Sequence, residues 1–347
     1  MRILTAMSGG VDSSVAAYLL AEQGHEIIGA MMKLFDGEEG ARSCCTLSDA
    51  EDARAVANAI GIPFYVFNYK EAFAAEVMAR FVKMYLNGLT PNPCIDCNRF
   101  VKFEKFLHRA KELECDAIAT GHYARISKEG RFLLKKGLDS TKDQSYVLYA
   151  MKQEQLAKTV FPLGELTKDE VRAIAQARSL INAKKRDSQD ICFVPSGDYA
   201  GFITGYTGRA PQEGNFVNKD GEILGKHRGI INYTIGQRKG LGISAPQPLF
   251  VTAIKENTVV LGASDELFSK EVRANDINLI PFDKLDGKMR VQAKIRYAHT
   301  SEPATLWQTG GDELYLEFDS PQRAITAGQA VVCYDGEVVV GGGTIVN

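Results

Sequence analysis

The chain opens with an apolar run, Ile3-Leu4-Thr5-Ala6-Met7, that passes through Ser8-Gly9-Gly10-Val11-Asp12-Ser13 into a helical pattern over 14–23. A strand that ends in a glycine turn at a helix N-terminus commits the chain to an α/β sheet. It also makes an anion site: the first-turn N–H groups of the helix are unpaired and its dipole favours negative charge. Gly9 and Gly10 keep side chains away from a close-packed phosphate, and Ser8, Ser13 and Ser14 add hydroxyl donors. Asp12 is placed to hold a magnesium ion against such phosphates. The Gly-Lys-Ser/Thr ending of a Walker loop is missing, and no lysine of the loop reaches a γ-phosphate. The loop therefore suits pyrophosphate held as a leaving group while the α-phosphate reacts.

The alternation continues. Strands are expected over 27–33, 64–67 and 117–120, and helices over 48–60, 71–86 and 100–113, the first opened by a Ser48-Asp49-Ala50-Glu51 capping box. This β-α-β-α order predicts a doubly wound parallel sheet whose ligands bind beyond the carboxyl ends of the strands, where Met32 and Gly121-His122 join the loop. A hairpin is expected over 125–135, and Thr167-Lys168-Asp169-Glu170 caps another helix. After Pro195 short strands and glycine turns take over. The predicted organisation is a catalytic domain at 1–195, a small mixed central domain at 196–274 and a C-terminal antiparallel β-barrel at 275–347. No apolar run approaches the roughly 18 residues of a membrane span, and no secretory signal pattern precedes the first strand. With seven cysteines, an odd number, a reducing cytoplasm is the expected setting. The formal net charge of −2 confines any nucleic-acid surface to a local patch, for which Lys226-His227-Arg228 and Arg238-Lys239 are candidates.

Two cysteine segments carry chemistry. Thr90-Pro91-Asn92-Pro93-Cys94-Ile95-Asp96-Cys97-Asn98 reads as a loop before a helix whose dipole stabilises a thiolate. Asp187-Ser188-Gln189-Asp190-Ile191-Cys192-Phe193 follows a basic run, Lys184-Lys185-Arg186, that favours thiolate too. Cys115 and Cys333 read as core residues, and Cys44 and Cys45 have no assigned task. The Cys94-x-x-Cys97 spacing admits either a redox or persulfide pair, or metal ligation. Zinc lacks further ligands at finger-like spacing. Three thiolates from Cys94, Cys97 and Cys192 suffice for a 4Fe–4S cluster with one open iron.

The Ser8–Ser13 string resembles the PP-loop of the adenylating ATP pyrophosphatases. With both cysteine motifs added, and with 119–123, 137–146, 233–243 and 328–343, the chain resembles the bacterial tRNA-specific 2-thiouridylase (MnmA/TrmU) family over essentially its whole length. That resemblance implies a PP-loop, Rossmann-like fold. It implies sulfur transfer to the 2-position of the wobble uridine in tRNAs for Lys, Glu and Gln, after ATP adenylates the uracil 2-oxygen. By the same resemblance Cys192 carries a persulfide received from a sulfur-relay protein or cysteine desulfurase. Cys97 is the partner thiol, and a Cys97–Cys192 disulfide closes the cycle. The resemblance also places Ala6, Met7, Ser8, Gly9, Gly10, Val11, Asp12, Ser13, Met32 and Gly121 against ATP. It sets Asn92, Pro93 and Cys94 against the target base. His122, Lys142, Asp143, Gln144, Arg296, Tyr297 and Gln329 fall against tRNA. An Arg beside a Tyr suits a phosphate and a stacked base.

One position departs from the family pattern. Cys94 stands where known members have Asp, a residue considered for a base role, and the same change supplies the third thiolate of the cluster alternative. A rival of another class is an amide-forming PP-loop ligase, which adenylates its substrate but has no need of the Cys97/Cys192 pair. A second rival, an RNA-binding module with a degenerate ATP site, conflicts with the intact loop.

Overall fold

The computed structural model describes residues 1–36, 46–185 and 191–346, which form two compact units. Cys44, Cys45 and the run from Arg186 to Asp190 lie outside the described residues.

The first unit comprises 1–78, 94–195 and 337–339. The chain begins with β1 (Arg2–Ala6), α1 (Val11–Glu22), β2 (Glu26–Lys33), α2 (Leu47–Ala59) and β3 (Phe64–Asn68). Then come α3 (Lys70–Phe73) and a π-helical turn (Ala74–Met78); α4 (Ala79–Leu86), which follows in the chain, belongs to the second unit. A second composite helix joins α5 (Pro93–Asp96), a π-helical stretch (Cys97–Lys105) and α6 (Phe106–Glu112). The elements β4 (Ala117–Ala119), β5 (Ala124–Glu129), β6 (Arg131–Lys136), α7 (Gln153–Leu156), β7 (Thr159–Val160) and α8 (Lys168–Ala177) complete the unit. The strands pair in parallel in the order β3-β2-β1-β4-β7. Ile3, Leu4 and Thr5 of β1 are fully buried, because helices cover both faces of a parallel sheet. The chain moves from β1 to β2 and β3 on one side and only later adds β4 on the other. The strand order therefore reverses between β1 and β4, and a crevice opens there at the carboxyl ends.

Two local expectations shift. The capping box of α2 is Thr46 with Asp49, not Ser48 with Glu51; the Thr46 hydroxyl accepts from Asp49 N at 3.2 Å and an Asp49 carboxylate oxygen accepts from Thr46 N at 3.0 Å. The helix expected from 100 begins at Pro93. A proline costs nothing in a first turn, where its missing N–H would have no partner. Cys94 and Cys97 thus stand on a helix, three residues apart, and not in a loop.

The second unit comprises 79–93, 196–336 and 340–347. Here α9 (Tyr199–Thr207) packs Tyr199 and Phe202 against Phe81, with ring centroids 6.0 Å apart in each case. The strands β8 (Gly214–Val217), β9 (Ile223–His227), β10 (Phe250–Lys255) and β11 (Thr258–Gly262) form a sheet in the order β10-β11-β8-β9. Its core includes Phe216, Tyr233, Val251 and Leu261. The last strands are β12 (Phe268–Leu279), β13 (Lys288–Lys294), β14 (Glu302–Gly310), β15 (Glu313–Arg323), β16 (Ala330–Asp335) and β17 (Val338–Ile345). They run β12-β15-β14-β13-β16-β17, and pairing of β12 with β17 closes a six-stranded antiparallel barrel. Its interior holds Val272, Leu306, Phe318 and Cys333; burial pushes the Cys333 thiol up to about 12. The strand β12 runs through the expected 274/275 boundary without a break.

Candidate active site

The phosphate loop lies at the reversal of strand order. Gly9 takes φ +75°, and a Cβ there would sit 2.3 Å from the Asp49 carbonyl oxygen. Only glycine fits on both counts. Gly121, at the end of β4, abuts the start of α1 so closely that a Cβ would fall 2.8 Å from Ser13 N. Ser13 closes the loop on itself: its Oγ accepts from Ser8 N at 3.1 Å and donates to the Gly10 carbonyl at 3.1 Å. Met7 N donates to Ala30 O at 2.8 Å and pins the loop's entry to β2, the strand that carries half-buried Met32. Among the described residues the N–H groups of Gly9 and Gly10 find no acceptor. A cradle of backbone donors with no room for side chains fits a phosphate chain.

Asp12 is not an open metal ligand. Lys168 Nζ donates to its Oδ1 at 2.7 Å and its Oδ2 at 2.8 Å, and the Tyr123 hydroxyl donates to Oδ1 at 2.8 Å. A cation at Asp12 would have to expel this ammonium, so the residues present do not fit magnesium bound there. Lys168 is the residue that reading the loop alone missed. It stands first in α8, behind the Thr167–Glu170 capping box, and its N–H donates to Asp139 at 3.0 Å. Tyr123 is held in turn by Gln144, whose Oε1 accepts from Tyr123 N at 3.0 Å.

The cysteines differ in setting. Cys97 is buried where the π-helical stretch begins, whereas Cys94, one turn earlier, is exposed. Asn98 beside it is buried and donates through Nδ2 to Val147 O at 3.0 Å. Cys192 is half-buried. Its neighbour Phe193 is anchored edge-on to Phe73 of α3, centroids 5.6 Å apart, and α3 packs against the π-helical stretch that starts with Cys97. Both thiols thus belong to the first unit and to neighbouring elements. Among the described residues no three His, Cys, Asp or Glu side chains converge to hold a metal, so no cluster site is preformed on Cys94, Cys97 and Cys192. Lys185, expected to favour a Cys192 thiolate, is spent elsewhere, 2.7 Å from both Asp49 and Asp52.

Three family models tile the chain: one described as a tRNA methyl transferase HUP domain over 1–196, a PRC-barrel domain of the same kind over 200–263, and an aminomethyltransferase β-barrel domain over 269–345. A tRNA-specific 2-thiouridylase MnmA of Clostridioides difficile is 51% identical over 99% of this chain and 98% of its own length. That of Lachnoclostridium phytofermentans is 51% identical over 100% and 99%. The chain belongs to the tRNA-specific 2-thiouridylase MnmA family. A solved 4-thiouridine synthetase–RNA complex with bound ATP is 17% identical over 57% of this chain and 45% of its own, with a TM-score of 0.39.

In this family member the residues expected at tRNA divide. Arg296 and Tyr297 are exposed on the second unit, Tyr297 43% so, with Lys294 Nζ 5.8 Å from its ring centroid. His122 is 8% exposed, its ring edge-on to Phe161 and tilted against Phe103, with Nδ1 2.7 Å from the Thr120 hydroxyl. Burial, and then Lys102, hold its pKa well below the usual value. In this structure the ring is packed among aromatic neighbours and not presented at the surface. Asp143 is spent on its own turn, accepting from Gly137 N and Ser145 N at 3.0 Å each; Lys142 and Gln144 are half-buried beside it. Gln329 Nε2 donates to Thr90 O at 2.9 Å and Pro91 O at 3.3 Å, which clamps the segment that leads through Asn92 into the helix at Pro93. In the basic run 226–228, His227 is buried and stacks edge-on to Phe216 and Tyr233, while Lys226, Arg228, Arg238 and Lys239 remain exposed.

No helix among the described residues is long and apolar enough to cross a membrane.

Proposed function

We propose that the chain forms 2-thiouridine at the wobble position of tRNA for Lys, Glu and Gln, in the cytoplasm, with ATP as activator and a protein-bound persulfide as sulfur source. Residues 6–13, with Met32 and Gly121, take ATP. Transfer of AMP to the uracil 2-oxygen releases pyrophosphate into the Gly9–Gly10 cradle and turns that oxygen into a leaving group. Asn92, Pro93 and Cys94 face the base, and Arg296 and Tyr297 face the RNA. The terminal sulfur of a Cys192 persulfide, loaded by a sulfur-relay protein or a cysteine desulfurase, attacks the activated carbon. Cys97 thiolate then attacks the Cys192 sulfur. The S–S bond to the transferred sulfur breaks, its electron pair moves to that sulfur, and AMP departs as C=S forms. A thiol reductant reopens the resulting Cys97–Cys192 disulfide.

The observation that carries this reading is the pairing, in one unit, of a side-chain-free phosphate cradle with two thiols on neighbouring elements, in a chain 51% identical throughout to named thiouridylases. Methyl transfer, named in the descriptions of two of the matching families, needs neither a pyrophosphate cradle nor a sulfur carrier. The test is thiolation of unmodified tRNA by anaerobically purified protein, with iron and sulfide measured alongside. C192S is expected to abolish thiolation yet keep tRNA-dependent pyrophosphate release, and C97S to stop turnover after sulfur loading. Activity that rises with about four iron per chain, and is lost in C94S, would overturn the persulfide route in favour of the cluster.

A further inference from the structure

Asn182 lies 173 positions from Gly9, in the turn after α8, and is 4% exposed. Its Nδ2 donates to the Gly9 carbonyl at 3.0 Å and to Ser14 Oγ at 2.8 Å. Ser14 Oγ in turn donates to the Gly10 carbonyl at 3.0 Å. Among the described residues the buried Asn182 Oδ1 has no hydrogen-bond partner. Turning the amide over would set that oxygen against the Gly9 carbonyl oxygen, so the orientation is fixed. A buried amide that leaves its acceptor end unpaired is held for its donor end.

We infer that Asn182 is a positioning residue that aims the phosphate loop's N–H groups. In a trans peptide the C=O of one residue and the N–H of the next point in opposite directions. Asn182 draws the Gly9 carbonyl to one side, and so turns the Gly10 N–H to the other, into the cradle. Through Ser14 it also holds back the Gly10 carbonyl, which turns the Val11 N–H the same way. The second grip comes three residues on: Lys185 Nζ holds Asp49 and Asp52 at 2.7 Å, and the Asp49 main chain is what Gly9 packs against. The 182–185 turn thereby fixes Gly9 from its carbonyl and from its α-carbon at once. A glycine with φ +75° has a wide range of conformations to lose, and this brace selects the one that presents donors to an anion.

The inference deepens the ATP-site reading and rests on it. The experiment is calorimetric titration of the full chain with ATP and with pyrophosphate, for wild type, N182D and N182A, together with unfolding temperatures and steady-state KM values. N182D keeps the shape and replaces the donor with an acceptor. Both variants are expected to weaken ATP and pyrophosphate about ten-fold, the scale of one well-made hydrogen bond, and to raise KM for ATP while leaving KM for tRNA unchanged. Wild-type affinity in the folded fraction of both variants would reduce Asn182 to a structural residue and overturn the inference. A wild-type chain that binds neither ATP nor pyrophosphate would overturn the ATP-site reading itself, and the inference with it.

Discussion

Lys168→Met removes an ammonium and keeps most of the stem. In the native chain that ammonium makes two charge-assisted bonds to Asp12, its side chain 9% exposed and that of Asp12 31%. Two unit charges about 4 Å apart attract by about 4 kcal/mol at an effective dielectric near 20. Desolvation of the lysine offsets part of this, and water reaches the exposed third of Asp12. About half survives, so the variant is expected to lose roughly 2 kcal/mol, read as a fall of roughly 3–6 °C in Tm. Asp12→Asn strands the same ammonium and costs a similar amount. The double variant should cost much less than the sum, with a coupling energy of roughly 1–2 kcal/mol. Chemical denaturation of the four proteins measures it. Additivity within about 0.5 kcal/mol would show that the pair contributes nothing jointly, and the assignment of Lys168 as the counter-ion of the loop would fail.

Acid should weaken the fold through histidines. His122, His227 and His299 all have pKa values lowered by burial, so above about 6.5 both folded and unfolded chains carry them neutral and their contribution is complete. As pH falls through that value the unfolded chain takes up protons that the folded chain refuses. Stability is then lost by up to roughly 1.4 kcal/mol per pH unit for each group. Urea titrations at two pH values should show the loss, smaller in His122→Gln; an equal loss in that variant would contradict the burial argument. On the second unit, Tyr297→Ala should weaken tRNA binding roughly 5- to 100-fold, the range of one lost stacking contact, with ATP affinity unchanged. Unaltered tRNA affinity would remove this ring from the RNA surface.

The parallel sheet and the phosphate loop were legible because their signals are local. An apolar run, two glycines and a helix start within a dozen residues, and the alternation of periods follows the chain. Lys168 and Asn182 were not, because they reach the loop from 156 and 173 positions away, and nothing in their neighbourhoods marks the destination. The Thr167 capping box announced the helix but not what its first residue grasps. The composite helix that starts at Pro93 was hidden by Pro91 and Pro93, which read as loop residues although the second is a good first-turn residue. The buried His227 was within reach of the sequence. Along β9 and just beyond, Lys226 and Arg228 are exposed and His227 is not, the period-2 alternation of a strand.

The Asp12–Lys168 pair also bears on how the proposed phosphate site would hold an anion. A Walker loop brings a formal cation to the phosphates; here the nearby cation is already neutralised by two bonds to a carboxylate. Affinity then rests on backbone N–H groups and the helix N-terminus, which are partial charges. On the proposed function, such a site would hold pyrophosphate as a leaving group without a formal charge to retain it. Asp12→Asn frees the ammonium to face the product. That variant is expected to bind pyrophosphate about ten-fold more tightly, about 1.4 kcal/mol, and to turn over more slowly where release limits the rate. Titration with pyrophosphate, and a burst followed by a slow steady state, would show it. Weaker pyrophosphate binding in Asp12→Asn would mean that the carboxylate itself, through a bound cation, is part of the anion site, and the neutralised-lysine account would be refuted.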